Sequence, residues 1–388
     1  MKKYFTLVAA IALAGGFSAS ASYVTQGDKS LYTFESLSQI EGSGVTKVGD
    51  AYHVTDDIEI AATDTLRISD NATVLLGNNV QIKALGYTDF RAANKATISR
   101  IGDTDEPKGI YVFGEDAVAL FEHITMQYCG IRSYGNVTGI IVNNCRFLYY
   151  NSAMTSSGCI TLGSASSGNA ITNSHFFSST TAAIGGAANG PAGVTVSRCF
   201  FGSCNTENSN RPVINLTVGG DNEVIIEDNY ISGNKNTKVG GIGVGNMLSL
   251  AGTNRVVIKN NTVEDCRYGL TTIGPMNVTI EGNELINNRY ETNAMNGGSG
   301  MSLYDTTGKQ TAVIKGNHIE GSLWGITVIG CGEVNIGKTD DPNADDYNPG
   351  ENVFVNNGNG GTLYDLYNNS KNTVYAQGNT WNVTEQTA

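Results

Sequence analysis

The sequence predicts an all-β solenoid with one coil per repeat, and three observations carry that prediction. A short phrase returns along the chain: Val194-Thr195-Val196-Ser197-Arg198-Cys199, Val224-Ile225-Ile226-Glu227-Asp228-Asn229, Val256-Val257-Ile258-Lys259-Asn260-Asn261, Val278-Thr279-Ile280-Glu281-Gly282-Asn283 and Ala312-Val313-Ile314-Lys315-Gly316-Asn317. Weaker copies end at Glu122, Cys145, Ser174, Asn352 and Asn379, giving irregular intervals of roughly 22 to 35 residues, the range in which periodicity signals stacked coils. A second alternating run follows each phrase, and the composition of 48 Gly, 6 Pro and 15% charged residues favours turns and short strands over helices.

Side chains alternate across a strand, so the marker residue that closes each phrase separates inside from outside. Positions five and three before it (Val224 and Ile226, Val256 and Ile258, Val278 and Ile280) point inward, as does the apolar residue two after it: Phe147, Phe176, Phe201, Ile231, Val263, Leu285, Ile319 and Phe354. These eight are expected to stack as a ladder, with the marker Asn side chains hydrogen-bonded along the axis. The second run (Gly158–Leu162, Gly241–Val244, Gly300–Leu303, Gly325–Val328, Leu363–Leu366) repeats in the same sense, so the sheets are expected to be parallel.

A solenoid grows by stacking, so 388 residues need not divide into several cores. Three segments are read: a signal peptide at 1–21, an N-terminal cap at 22–54 and the coils at 55–388. Met1-Lys2-Lys3, the apolar stretch Phe5 to Phe17 and Ala19-Ser20-Ala21 have the order of a secretory signal, which places the protein in the periplasm, on the cell surface or outside the cell. No later stretch is apolar enough to span a membrane. Without Lys2 and Lys3 there are 22 basic and 36 acidic residues, a net charge of −14, which argues against nucleic acid and anionic membrane surfaces. A monomer is expected. In the cap, Phe34, Leu37 and Ile40 keep one-face helical spacing, so a short capping helix should cover the first coil. Seven cysteines in an exported chain suggest disulfides, Cys199 and Cys204 being the nearest pair; yet Cys145 and Cys199 occupy the marker position, where a small buried side chain is needed.

This repeat resembles that of the right-handed parallel β-helix superfamily, the pectin-lyase-like proteins, over about residues 55 to 382. The resemblance implies a single-stranded right-handed parallel β-helix, and Tyr375-Ala376-Gln377-Gly378-Asn379-Thr380-Trp381 resembles the final rung of such proteins, where a Trp covers the core. Families on this scaffold include pectate and alginate lyases, polygalacturonase-type hydrolases and mannuronan epimerases. Fold does not transmit activity. The polygalacturonase-type set of three Asp, a His and an R-x-K has no counterpart here.

Four groups of residues remain as candidates. Outward positions two before the marker read Asn143, Thr172, Ser197, Glu227, Lys259, Glu281 and Lys315, a ladder of alternating charge that serves as a solvated face. One position after the marker come Arg146, His175, Phe200 and Tyr230, with His123 expected one coil before Arg146; His123, Arg146 and His175 as neighbours would suit acid-base chemistry or acidic sugars. Arg267-Tyr268 and Arg289-Tyr290 share an offset, with Glu264 and Asp265 close by, which fits either an Arg-carboxylate network holding the turns or a sugar site of tyrosine platforms and forked donors. The loop from Lys338 to Glu351 gathers Asp340, Asp341, Asp345 and Asp346, either a turn cluster or a calcium site; no cofactor is otherwise required.

The functional reading is therefore an exported β-helix protein that recognises polysaccharide along its outer face. A polysaccharide lyase of the pectate-lyase-like kind is the alternative enzyme, and a structural or adhesive solenoid is the third reading.

Overall fold

The computed structural model describes residues 23–384 except 136, 152–156, 164–166, 188–189 and 292; the segment read as a signal peptide lies outside the described residues. The chain winds as a right-handed parallel β-helix, and each coil lays strands on three faces. The first face holds Gly139–Asn143, Asn169–Thr172, Val194–Ser197, Glu223–Glu227, Arg255–Lys259, Asn277–Glu281 and Thr311–Lys315. The second holds the three-residue strands Arg146–Leu148, His175–Phe177, Phe200–Gly202, Tyr230–Ser232, Thr262–Glu264, Glu284–Ile286, His318–Glu320 and Val353–Val355. The third is a 13-stranded sheet running from Tyr23–Val24 to Leu366–Asn369.

The sequence reading has two strands per coil where the structure has three. A three-residue strand shows one inward side chain, too little for a period of two to be visible. What separates the first face from the second is a single residue in the left-handed region: His123, Asn144, Asn173, Arg198, Asp228, Asn260, Gly282, Gly316 and Glu351 have φ between 50° and 64°. Asn, Asp and Gly tolerate that conformation best, which explains their frequency just before the marker.

Inside, the expected ladder forms. Phe147, Phe176, Phe201 and Ile231 lie in direct register on successive coils, followed by Val263, Leu285, Ile319 and Phe354, all buried. The Phe147 and Phe176 rings stack at 4.8 Å and those of Phe176 and Phe201 at 4.9 Å, the spacing of neighbouring strands. At the bend the asparagines stack as well. The Asn229, Asn261, Asn283, Asn317 and Asn352 backbone N–H groups donate to Oδ1 of Asn261, Asn283, Asn317, Asn352 and Asn379 at 2.9 to 3.1 Å. Each Nδ2 donates to the same Oδ1 at 2.8 to 3.0 Å.

The ends are closed by apolar side chains. Leu31–Thr33 pairs with Thr65–Arg67, and the helix Phe34–Ser38, capped by Thr33, buries Phe34 and Leu37 over the first coils. At the other end Trp381 stacks on Phe354 at 4.6 Å. Leu363, read as part of a third-face strand, instead pairs antiparallel with Gly358, and the third face resumes at Leu366 opposite Ile326. The turn around Gly360 and Gly361, both at positive φ, takes up the extra residues.

All seven cysteines are buried free thiols, so Cys199 and Cys204 close no loop. Burial pushes Cys129, Cys145 and Cys199 up to about 12 and Cys204 and Cys331 up to about 11. A thiol held neutral and away from water is inert. A thiol reagent such as dithionitrobenzoate is therefore expected to label none of the seven in the native protein and all of them after denaturation.

One outward carboxylate is also buried. Asp89, 5% exposed, accepts hydrogen bonds from Arg91 Nε at 2.6 Å and Nη2 at 3.1 Å and from Arg67 Nε at 3.0 Å. The Arg91 hydrogen bond, helped by Arg67 and opposed by burial, holds this carboxyl below the usual range. Its contribution to stability is thus complete above the unfolded-state pKa of about 3.9 and is lost as pH falls through the lower folded-state value. Asp89→Asn should lower the thermal midpoint at neutral pH and flatten its decline in acid, an outcome that melting curves across the acid range would check. Asn283→Ala strands the Asn261 N–H and takes one acceptor from Asn261 Nδ2, which keeps the Ile226 and Lys259 carbonyls, and a loss of about 3 kcal/mol is expected by denaturant titration, whereas the outward Thr195→Ala should change stability by under about 0.5 kcal/mol.

Candidate functional site

On the second face, the outward position just after the bend forms a continuous column. Arg146, His175, Phe200 and Tyr230 are paired in register on four consecutive coils. The His175 and Phe200 rings lie 5.9 Å apart and those of Phe200 and Tyr230 stack at 5.1 Å. Two residues further along each strand are Leu148, Phe177 and Gly202. A Cβ on Gly202 would sit 2.9 Å from the Phe200 ring and 3.1 Å from the Phe177 ring, so glycine lets both rings close over this point. Phe200 is 38% exposed and Phe177 43%.

The border with the third face extends the patch. The Arg100 guanidinium lies 3.7 Å over the Tyr128 ring, which stacks at 5.7 Å on Tyr149, itself 46% exposed. At the other border Arg198 occupies the left-handed bend and donates from Nε to Asn173 Oδ1 at 2.9 Å. The Tyr230 hydroxyl donates to Glu264, and that hydrogen bond, with burial, pushes the phenol up to about 12; the ring is thereby fixed and neutral. Contiguous aromatic side chains left open to water mark an interaction site.

The surroundings of this patch are electrostatically distinct. The chain has 36 Asp and Glu residues, yet none falls between Glu122 and Glu207, while Arg132, Arg146, Arg198, His123 and His175 do. The stretch that carries Arg146, His175, Phe177 and Phe200 is therefore a band without carboxylates in an acidic protein, bounded beyond Tyr230 by Glu264, the acceptor of its hydroxyl. That gap is a sequence signal that could have located the patch but was not read, and Phe177, Tyr149, Tyr128, Arg100 and Arg198 are the residues that sequence reasoning did not single out.

The structure brings Arg146 and His175 together and sets His123 apart from them. Thr125, not His123, is opposite Arg146, and His123 is the bend residue of its coil, with Nδ1 3.0 Å from the Ala92 carbonyl oxygen. The marker of that coil is Ile124 rather than Glu122: the pairing with the preceding coil jumps from Arg91 opposite Glu122 to Ala96 opposite Ile124. Three extra residues in the earlier coil, and an apolar residue where other coils have Asn, hid the true register.

Around Arg267 the coils stay aligned as far as Cys266 and Asn288, where the Cys266 N–H donates to Asn288 Oδ1 at 3.1 Å. They then part, one entering the third face at Leu270 and the other at Ser299. Arg267 ties the longer loop down, with Nε 2.6 Å from Glu291 Oε2 and Nη2 donating to the Asn296 carbonyl at 2.7 Å. Tyr268 packs over Gly240, where a Cβ would lie 2.2 Å from its ring, and burial pushes its hydroxyl pKa up. Glu264 is the acceptor of Tyr230, Asp265 is a left-handed bend residue, and Arg289 is exposed beside Tyr290, whose N–H donates to the Cys266 carbonyl at 3.2 Å.

The acidic loop does not converge. Asp340 accepts from Gln377 Nε2 at 2.8 Å, Asp341 from the Asn343 N–H at 2.9 Å and Asp346 pairs with Lys338, while Asp345 is exposed. Among the described residues no group of three or more His, Cys, Asp or Glu side chains is arranged to hold a metal ion, and no helix is long and apolar enough to cross a membrane.

Residues 194–340 match the family model described as a right handed beta helix region. No curated protein matches the chain. Among solved structures, that of the periplasmic alginate epimerase AlgG aligns over 88% of this chain and 83% of its own, at 10% identity and a TM-score of 0.37; a mutant of the same enzyme aligns over the same shares with a TM-score of 0.35. Similarity of that degree carries no argument about the chemistry of this chain. The matched repeats and the observed winding establish the fold: this protein is a right-handed parallel β-helix.

Proposed function

We propose that this protein recognises polysaccharide along its outer face, and that the second-face patch of Arg146, His175, Phe177, Phe200 and Tyr230 is where it does so. The carrying observation is the pair of exposed rings, Phe177 and Phe200, meeting over Gly202 in a band without carboxylates. A pyranose presents C–H groups on one face and hydroxyls around its rim. The rings offer an apolar platform for the first, and the guanidinium, imidazole and amide groups of Arg146, His175 and Asn173 offer donors and acceptors for the second.

Coils follow one another at about 4.7 to 4.9 Å, so equivalent side chains recur along the axis at a fixed step. A polymer laid along that axis meets a repeated surface, and many modest contacts add up without a deep pocket. The amino-terminal 21 residues, read as an export signal, place such a receptor where extracellular polysaccharide is found.

Titrating the mature protein against neutral and uronic-acid polysaccharides by calorimetry or affinity electrophoresis tests this reading. Phe177→Ala and Phe200→Ala are each expected to weaken binding roughly tenfold, and Tyr304→Ala on the third face to leave it unchanged. Retention of full affinity in the double variant Phe177→Ala/Phe200→Ala would overturn the assignment.

A further inference from the structure

We infer that the first face is an interface between two copies of this chain, packed face to face with their helix axes antiparallel. On four consecutive coils the outward position two before the marker is Glu227, Lys259, Glu281 and Lys315, held in direct register. Within one copy Lys259 Nζ is 3.0 Å from Glu227 Oε2 and Lys315 Nζ is 3.2 Å from Glu281 Oε1. Alternating in sign, this column is its own complement when read backwards.

A two-fold axis lying in the plane of the face and along the strands reverses the order of coils while keeping each column opposite itself. Glu227 of one copy then faces Lys315 of the other, and Lys259 faces Glu281, each pair occurring twice. This is the reciprocal pattern of a closed symmetric dimer. The neighbouring outward column reads Ile225, Val257, Thr279 and Val313 on the same coils, and under the same operation Ile225 faces Val313 and Val257 faces Thr279. Val313 is 41% exposed. The column is apolar except at Thr279, and with self-complementary charge along one side it matches what a second copy requires.

Charge-exchange variants test the inference by sedimentation equilibrium. The pair Glu281→Lys/Lys315→Glu keeps opposite signs within each internal pair but gives the column the order − + + −, which sets like charge against like in the antiparallel dimer. The pair Glu227→Lys/Lys259→Glu gives + − − + with the same defect. Each is expected to weaken self-association at least roughly tenfold while circular dichroism shows the native fold. Mixed in equal amounts, the two variants face each other with every pair complementary, so dimers are expected to return as heterodimers and to weaken with added salt. Wild-type protein that stays monomeric at its highest soluble concentration, or a mixture that associates no better than either variant alone, would overturn the proposal; internal repulsion within a variant is not relieved by mixing, so recovery reads the interface.

Discussion

The asparagine ladder at the first bend is the constraint on which the rest of the molecule depends. Each Oδ1 there accepts two hydrogen bonds from the preceding coil, one from its backbone N–H and one from its side-chain amide. The Nδ2 groups also bond the carbonyls of the coil behind, as Asn261 does to Ile226 and Asn283 to Ile258 at 2.9 Å. A slip of one residue would break all of these and turn every inward side chain outward. Register is thus set at one buried point per coil, and outward columns such as Arg146, His175, Phe200 and Tyr230 follow from it as a geometric consequence.

The ladder is not uniform, and its interruption coincides with the exposed aromatic patch of the second face. Where later coils have Asn, the earlier ones have Ile124, Cys145, Ser174 and Cys199, and only single bonds join them, such as the Cys145 N–H to Ser174 Oγ at 3.1 Å. The same coils hold the internal stack of Phe147, Phe176 and Phe201. Side-chain amides and aromatic stacking thus exchange roles along the axis: one ties coils through directed bonds, the other through ring-on-ring packing and burial. Aromatic side chains then appear outside these coils as well as within them.

Much of this was legible in the sequence. The markers Asn229, Asn261, Asn283 and Asn317, the inward pairs around them and the eight-membered interior ladder all follow from alternation counted from one residue. What was not legible has local causes. The short second-face strands display one inward residue each, so Phe177 and Gly202 could not be assigned a side by periodicity. His123 was misplaced because Ile124 carries no amide and the coil before it has residues to spare. The Arg267 and Arg289 offsets agree in sequence, but agreement of offsets fails where loops of different length leave the bend. Electrostatics was hidden by averaging: a net charge taken over the whole chain conceals a stretch from 123 to 206 with no carboxylate.

The ladder also has a direction. From Cys199 to Asn352, the marker's backbone N–H always points to an oxygen on the next coil toward the carboxyl terminus, and at Asn379 the side-chain amide bonds only the carbonyls of Ile336, Ala376 and Gln377. A nascent chain emerging amino end first therefore has, at any moment, one rung waiting for its acceptor, and each new turn of polypeptide completes the one before it. Growth of the native state can keep pace with synthesis or threading, and the unsatisfied edge stays one rung wide however long the protein becomes.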